Sequence, residues 1–246
     1  MVRIVCKEVL SMDHIYYLKK FWALYLLIAI ISILVAMGAS QAATAMAENT
    51  PVEREFTIII DAGHGGEDGG AISCTGVKES QINLQIALKL ESLLKLLGYR
   101  THMIRSADIS VYTEGSTIAQ KKVSDLKERV RIVNGIDNAI LISIHQNTFP
   151  AEQYSGAQVF YNGDDTAKEL AQHLQQTFLE TLNPGSRRTC KSADHVYLMQ
   201  RIQCPGILVE CGFLSNFREE AKLRTEDYQQ KIVCVIASSL SCYLNA

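Results

Sequence analysis

The sequence predicts a single α/β domain, a mostly parallel twisted sheet with helices on both faces, behind an N-terminal export segment. Three observations predict it. Strand-length runs between residues 57 and 209 are apolar throughout rather than alternating, as in strands buried on both faces. Stretches of helical period separate them, the βα alternation of a parallel sheet. Beyond the leader about 190 residues remain, an ordinary size for one domain.

Composition excludes several classes. Of 246 residues, 48% are hydrophobic and 20% charged, a globular rather than a disordered balance. With 24 basic and 26 acidic residues, net −2, there is no electrostatic case for binding nucleic acid. Seven cysteines in so long a chain do not make a disulfide-stapled miniprotein.

The leader comes first. Lys19 and Lys20 precede the apolar run 21–37, and small residues follow, with Ala43-Thr44-Ala45 and Ala45-Met46-Ala47 as cleavage-like ends. The run is close to the roughly 20 residues that span a bilayer. Residues 1–47 therefore read as a signal peptide or a membrane anchor, and uncleaved they would be the tie to a membrane. Either way the positive flank stays inside and the rest is exported. Residues 48–55 are polar, carry Pro51 and read as a linker; residues 56–246 form the domain. Its six cysteines are expected as unpaired thiols, with Cys211, Cys234 and Cys242 acting as small buried hydrophobes.

Residues 57–60 form a β-branched strand entering the loop Asp61-Ala62-Gly63-His64-Gly65-Gly66. Ile82, Ile86, Leu90, Leu93, Leu94 and Leu97 repeat at helical spacing over 80–97, and Gly98 ends that helix. Residues 99–104 read as the next strand, and 106–123 as a polar loop with some helix. Ser124 reads as the cap of a helix with Leu126, Val130 and Val133 on one face, closed by Asn134-Gly135. Strands follow at 139–144, 157–161 and 206–209, a short strand at 195–199, and helices at 166–182 and 228–244.

The chemistry-bearing residues stand at the boundaries of these elements. His64 and His145 follow strands, Glu210 follows another, and Glu79 opens the first helix. Ligand sites in open parallel sheets form at the strands' carboxyl ends, so the four can converge. A lone histidine after a strand is usually structural, and a lone glutamate at a helix start usually answers the helix dipole. Together, two imidazoles and a carboxylate are a normal ligand set for catalytic zinc, and a further carboxylate can serve as acid/base. Asp61 is a candidate to orient a liganding histidine, Asn147 follows His145 closely, and His195 follows a polar segment suited to a cleft. His102 within a strand, His173 on a polar helix face and the lone loop thiol Cys74 carry little weight.

The chain resembles a known family at this point. Asp61 to Gly66 and the Glu79–Asn83 pair are similar to the opening of the zinc-dependent N-acetylmuramoyl-L-alanine amidases, where Pro usually stands at the position of Ala62. Residues 126–134 (LKERVRIVN), 143–147 (SIHQN) and 209–216 (VECGFLSN) resemble its later motifs in the same order. The resemblance implies zinc (Zn2+) held by His64, Glu79 and His145, with Glu210 as catalytic acid/base. It implies cleavage of peptidoglycan between N-acetylmuramic acid and the L-alanine of the stem peptide. The short chain and residues 191–198 look most like the sporulation amidases, which prepare spore cortex for muramic-δ-lactam formation and so for germination. No regulatory protein partner is identified by these residues.

Two other readings compete. A cysteine hydrolase using Cys211 as nucleophile and His145 as base leaves His64 and Glu79 without a role. A non-catalytic peptidoglycan-binding regulator would be expected to have lost a ligand or Glu210, and none is missing.

Overall fold

The structure is a computed structural model that describes residues 56–245 and, upstream, residues 21, 22, 26 and 30–33. The chain divides into two units, Met1–Val52 and Glu53–Ala246. In the first, the described residues are helical. The expected cleavage sites and the linker lie outside the described residues. Among the described residues no helix is long and apolar enough to cross a membrane.

In the second unit, strands β1 (Thr57–Ala62), β2 (Arg100–Met103), β3 (Ala139–Asn147), β4 (Gln158–Tyr161), β5 (Lys191–Ser192) and β6 (Gly206–Phe213) form one sheet in the order β2-β1-β3-β6-β4-β5. β1 runs parallel to β2 and β3, β3 parallel to β6, and β4 parallel to β5; β4 is antiparallel to β6. The helices are α1 (Glu79–Leu96), α2 (Ile118–Asn134), α3 (Asp165–Thr181), α4 (Tyr197–Arg201), α5 (Phe217–Leu223) and α6 (Glu226–Leu244).

Strand alternation sorts the core into two layers. Ile58, Ile60, Ile142 and Val209 pack with Ile86 and Leu90 of α1, Phe178 of α3 and Ile232 of α6. Ile59, Leu141 and Leu208 face the other way, onto Val133 of α2 and Leu198 and Met199 of α4. Fully burying such a side chain contributes about 1.5–3 kcal/mol. This double cover is what lets β1 and β3 be apolar on both faces.

Four local expectations are corrected. The second helix starts at Ile118, because Thr117 and Gln120 form a reciprocal capping box. Ser124 lies inside that helix, and its hydroxyl accepts from the amides of Thr113 and Glu114, pinning the preceding loop. Residues 197–201 are a helical turn, not a strand: consecutive Leu198 and Met199 are both buried in one cluster, which an alternating strand cannot do. Cys234 and Cys242 are exposed on the outer side of α6, while Cys211 is buried; all six cysteines are free thiols. Helix α5 was not anticipated, although Asn216 caps it by accepting from the amides of Arg218 and Glu219.

Candidate active site

The loop after β1 turns sharply. His64 adopts a left-handed φ of 62°, and Gly65 and Gly66 follow at 139° and 58°. Such a conformation strains a residue with a side chain, so neighbours must hold it. Two buried arginines do so. Arg129 of α2 donates through Nη2 to the His64 carbonyl at 2.8 Å and through Nη1 to that of Ala62 at 3.2 Å. Arg105 donates through Nε to the Ala62 carbonyl at 2.7 Å and through Nη2 to that of Gly63 at 3.1 Å. Gly63 leaves room for the ring of His145: a Cβ there would stand 2.2 Å from the imidazole.

Glu79 is buried at the start of α1 and joins the two histidines. Its Oε1 accepts from His145 Nδ1 at 2.9 Å, from the Gln146 amide at 3.1 Å and from Asn83 Nδ2 at 3.2 Å. Its Oε2 accepts from the Ala71 amide at 2.9 Å and lies 3.2 Å from His64 Nε2. The other ring nitrogen of His64 donates to Asp68 Oδ2 at 2.9 Å. Burial would raise the Glu79 pKa, but the two imidazoles outweigh it and hold the carboxyl well below its usual range. Burial pulls His64 down, yet Asp68 and Glu79 lift it to about 9. One ligand atom from each of His64, Glu79 and His145 lies within 4.8 Å of the others. Two imidazoles and a carboxylate this close fit the donor set of a catalytic zinc site with a position left open.

Glu210 and His145, expected just past their strands, lie within β6 and β3 as register partners, because those strands continue to Phe213 and Asn147. Its Oε2 is buried with no hydrogen-bond partner. Burial, reinforced by Glu79, pushes this carboxyl up to about 7 against the pull of the two imidazoles. Glu210, His64 and His145 line a cavity of about 350 Å³ together with Asp61, Asp68 and a set of apolar side chains.

The remaining candidates are placed differently. Asp61 makes no hydrogen bond to either imidazole; it accepts from Ser143 Oγ at 2.7 Å and from Arg129 Nη1, and that arginine in turn holds the His64 carbonyl. Burial works to raise its pKa, but Arg129, His145 and Ser143 prevail and keep it ionised. Asn147 lies beyond the β3 irregularity, paired with Phe213, and its carbonyl accepts from the Leu214 amide. His195 is exposed against the Phe160 ring, while its neighbours Val196 and Leu198 line the cavity. Cys211 points to the opposite face from Glu210, into the larger core cluster, with its thiol pushed up by burial. That alternation removes the geometry a Cys211–His145 hydrolase needs.

Sequence reasoning gave no role to Asp68 and Arg105, nor to Asn83, Gln146 and Arg129, which it met only as motif residues. Asp68 lies four positions after His64, and Arg129 falls inside the quoted helix motif; an arginine next to Glu128 on a helix reads as solvated until a carboxylate 68 positions away is brought against it.

The fold and cleft define an α/β enzyme whose histidine–glutamate cluster sits at the carboxyl edge of its sheet, where such folds bind ligands. Residues 58–242 match the family described as N-acetylmuramoyl-L-alanine amidase, and the chain belongs to that family of peptidoglycan-cleaving enzymes. It is 35% identical over 188 residues to the germination-specific N-acetylmuramoyl-L-alanine amidase of Bacillus subtilis, across 76% of this chain and 78% of the relative. Among solved structures it is similar to the CwlD amidase from Clostridioides difficile in complex with the GerS lipoprotein: TM-score 0.74, 38% identity, 77% of this chain and 98% of that one. The catalytic domain of the CwlV amidase from Bacillus (Paenibacillus) polymyxa is also similar, with TM-score 0.65 and 29% identity over 77% of this chain and 98% of that one.

Proposed function

We propose that this amidase is a zinc enzyme of spore cortex maturation that hydrolyses the amide between the lactyl group of N-acetylmuramic acid and L-alanine. In this reading His64, Glu79 and His145 hold the metal and Glu210 is the catalytic acid/base. The observation that carries it is the unpartnered buried carboxyl of Glu210 beside a His–Glu–His cluster. When bound, zinc acidifies water and polarises the amide carbonyl. Glu210 takes a proton from the attacking water and delivers it to the departing alanine nitrogen, leaving a free lactyl carboxylate and a free amine. Asp68 fixes the ring of His64 so that Nε2 faces the cluster.

The germination-specific relative supports the cortex as the layer that is cut. The signal-like residues 1–47 and the linker 48–55 support work outside the cytoplasm, with the leader either cleaved or kept as an anchor. The clostridial relative's complex with a lipoprotein supports a protein partner here as well. Digestion of purified cortex peptidoglycan by the zinc-loaded protein tests the reading. New N-terminal alanine and free lactyl carboxylates, identified by mass spectrometry, are expected; other ends, or no release, would overturn it.

A further inference from the structure

Arg188, in the segment between α3 and β5, is a half-buried cation held in place without a counter-ion. Its Nε donates to the Ser155 carbonyl at 2.8 Å and its Nη1 to Gln158 Oε1 at 2.7 Å. The guanidinium carbon lies 4.6 Å from the centroid of the Phe213 ring. Gln158 is buried and grips the same segment a second time, donating through Nε2 to the Thr189 carbonyl at 2.8 Å. Both oxygens that receive from Arg188 are neutral. Among the described residues no carboxylate pairs with it, and Nη2 has no protein partner. Glu219 lies close enough to act on its charge, but the oxygens of Glu219 accept from the amides of Gly156 and Phe213 instead. Burial outweighs the pull of Glu219 and Tyr154 and lowers the Arg188 pKa, as befits a cation short of negative charge. A planar guanidinium fixed on two sides and open on the third is suited to a carboxylate.

The sheet sets this cation in a row with the reacting groups. Strands β3, β6 and β4 are consecutive and carry His145, Glu210 and Gln158. Glu210 is the register partner of His145 on one side and of Gln158 on the other. Directly opposed residues of an antiparallel pair share a face, with Cβ atoms about 4.5–5.5 Å apart. The core agrees: Leu208, two before Glu210, and Phe160, two after Gln158, belong to the same layer. The row therefore runs from the histidine cluster through Glu210 to Gln158 and, bonded to it, Arg188. Neither the cluster nor the proton transfer uses that arginine.

Resting on the amide chemistry above, we infer that Arg188 binds a carboxylate of the stem peptide, carried by the residue that follows L-alanine. Glu210 protonates the departing nitrogen, so the amine side of the substrate lies at Glu210, and β4 is the next strand beyond it. Two residues of extended chain span at most about 7 Å, and adjacent strands stand about 4.8 Å apart. A carboxylate on the second residue thus comes within reach of a guanidinium bonded to Gln158, and it supplies the missing counter-ion.

The test compares N-acetylmuramoyl-L-alanyl-γ-D-glutamyl-L-lysinamide, whose second residue keeps a free α-carboxylate, with the same compound bearing a carboxamide there. The zinc-loaded full chain is expected to favour the carboxylate by about tenfold or more in kcat/KM, mainly through KM, since hydrogen bonds to charged groups are the strong class. Added salt should narrow that preference. In Arg188→Gln the ratio should fall toward one while kcat/KM on the carboxamide stays near that of the parent; Arg188→Lys should keep part of the preference. Circular dichroism and zinc content check the variants, and the ratio in the parent stands whether or not they fold. Equal kcat/KM on both compounds in the parent, or an unchanged ratio in folded Arg188→Gln, would overturn the carboxylate site and leave the amidase reading intact. Cleavage of neither compound by folded, zinc-loaded protein would overturn both.

Discussion

Glu210 and His145 are register partners on adjacent parallel strands, and the Glu210 Oε2 atom beside that imidazole has no hydrogen-bond partner. A buried polar atom left unsatisfied costs about 1–3 kcal/mol. The fold tolerates that cost within β6, next to two imidazoles and a buried glutamate. A general acid/base needs this: a carboxyl held in place by its strand yet free to bond a substrate or a water.

Glu210→Gln should therefore keep the fold and the metal and lose about 10²- to 10⁴-fold in kcat. Metal analysis and turnover on muropeptides measure the two separately. Near-normal turnover, or loss of zinc, would mean that Glu210 has another role.

The same variant should show a pH-dependent gain in stability in metal-free protein. The Glu210 pKa rises on folding from 4.5 to about 7, so the folded state holds a proton that the unfolded chain has released. Stability from this group is complete below pH 4.5 and is lost as pH rises through about 7. Glutamine has no charge to bury. The stability of Glu210→Gln relative to the parent should grow between pH 5 and pH 8, by at most on the order of 3 kcal/mol. Denaturant melts at the two pH values, with chelator present, give the difference; parallel profiles would count against it.

Alanine at His64, Glu79 or His145 should strip or weaken zinc binding, because each removes one of three donors. Chelation should abolish turnover in the parent, and thiol alkylation should leave it active, since Cys211 is buried in the core. Full zinc content in all three variants would remove the site.

Asp68 holds the outer nitrogen of His64 without being one of the clustered ligands. Outer partners of this kind are typically worth 10- to 100-fold in metal affinity. Competition titration of Asp68→Asn against a zinc chromophore should show a weakening in that range, and parent-like affinity would make Asp68 a bystander.

Residues 1–55 fused to a reporter active only outside the cytoplasm should give signal, because we read the basic flank and apolar run 21–37 as an export segment. Activity from a cytoplasmic reporter instead would refute export.

Much of this was legible in the chain because it is written locally. Apolar runs with no alternation mark strands covered on both faces, and glycine and polar punctuation marks where they stop. His64 was readable as a residue that follows a strand and Glu79 as the opening of a helix; His145 and Glu210 were read as standing just past their strands, whereas β3 and β6 run on to Asn147 and Phe213 and hold both within the sheet. Other features depended on contacts distant in sequence. Whether 197–201 became strand or helix was decided by the core that buries Leu198 and Met199 together. Asp61 went to Arg129 rather than to a histidine because α2 lies across the β1 loop. The register that sets Glu210 beside His145, and the cavity that Leu126 and Leu208 both line, exist only once these elements are packed. Periodicity, capping and turn chemistry act over a few residues and can be read along the chain. Register and cavity walls come from the joint burial of faces far apart in sequence, and only the assembled sheet decides them.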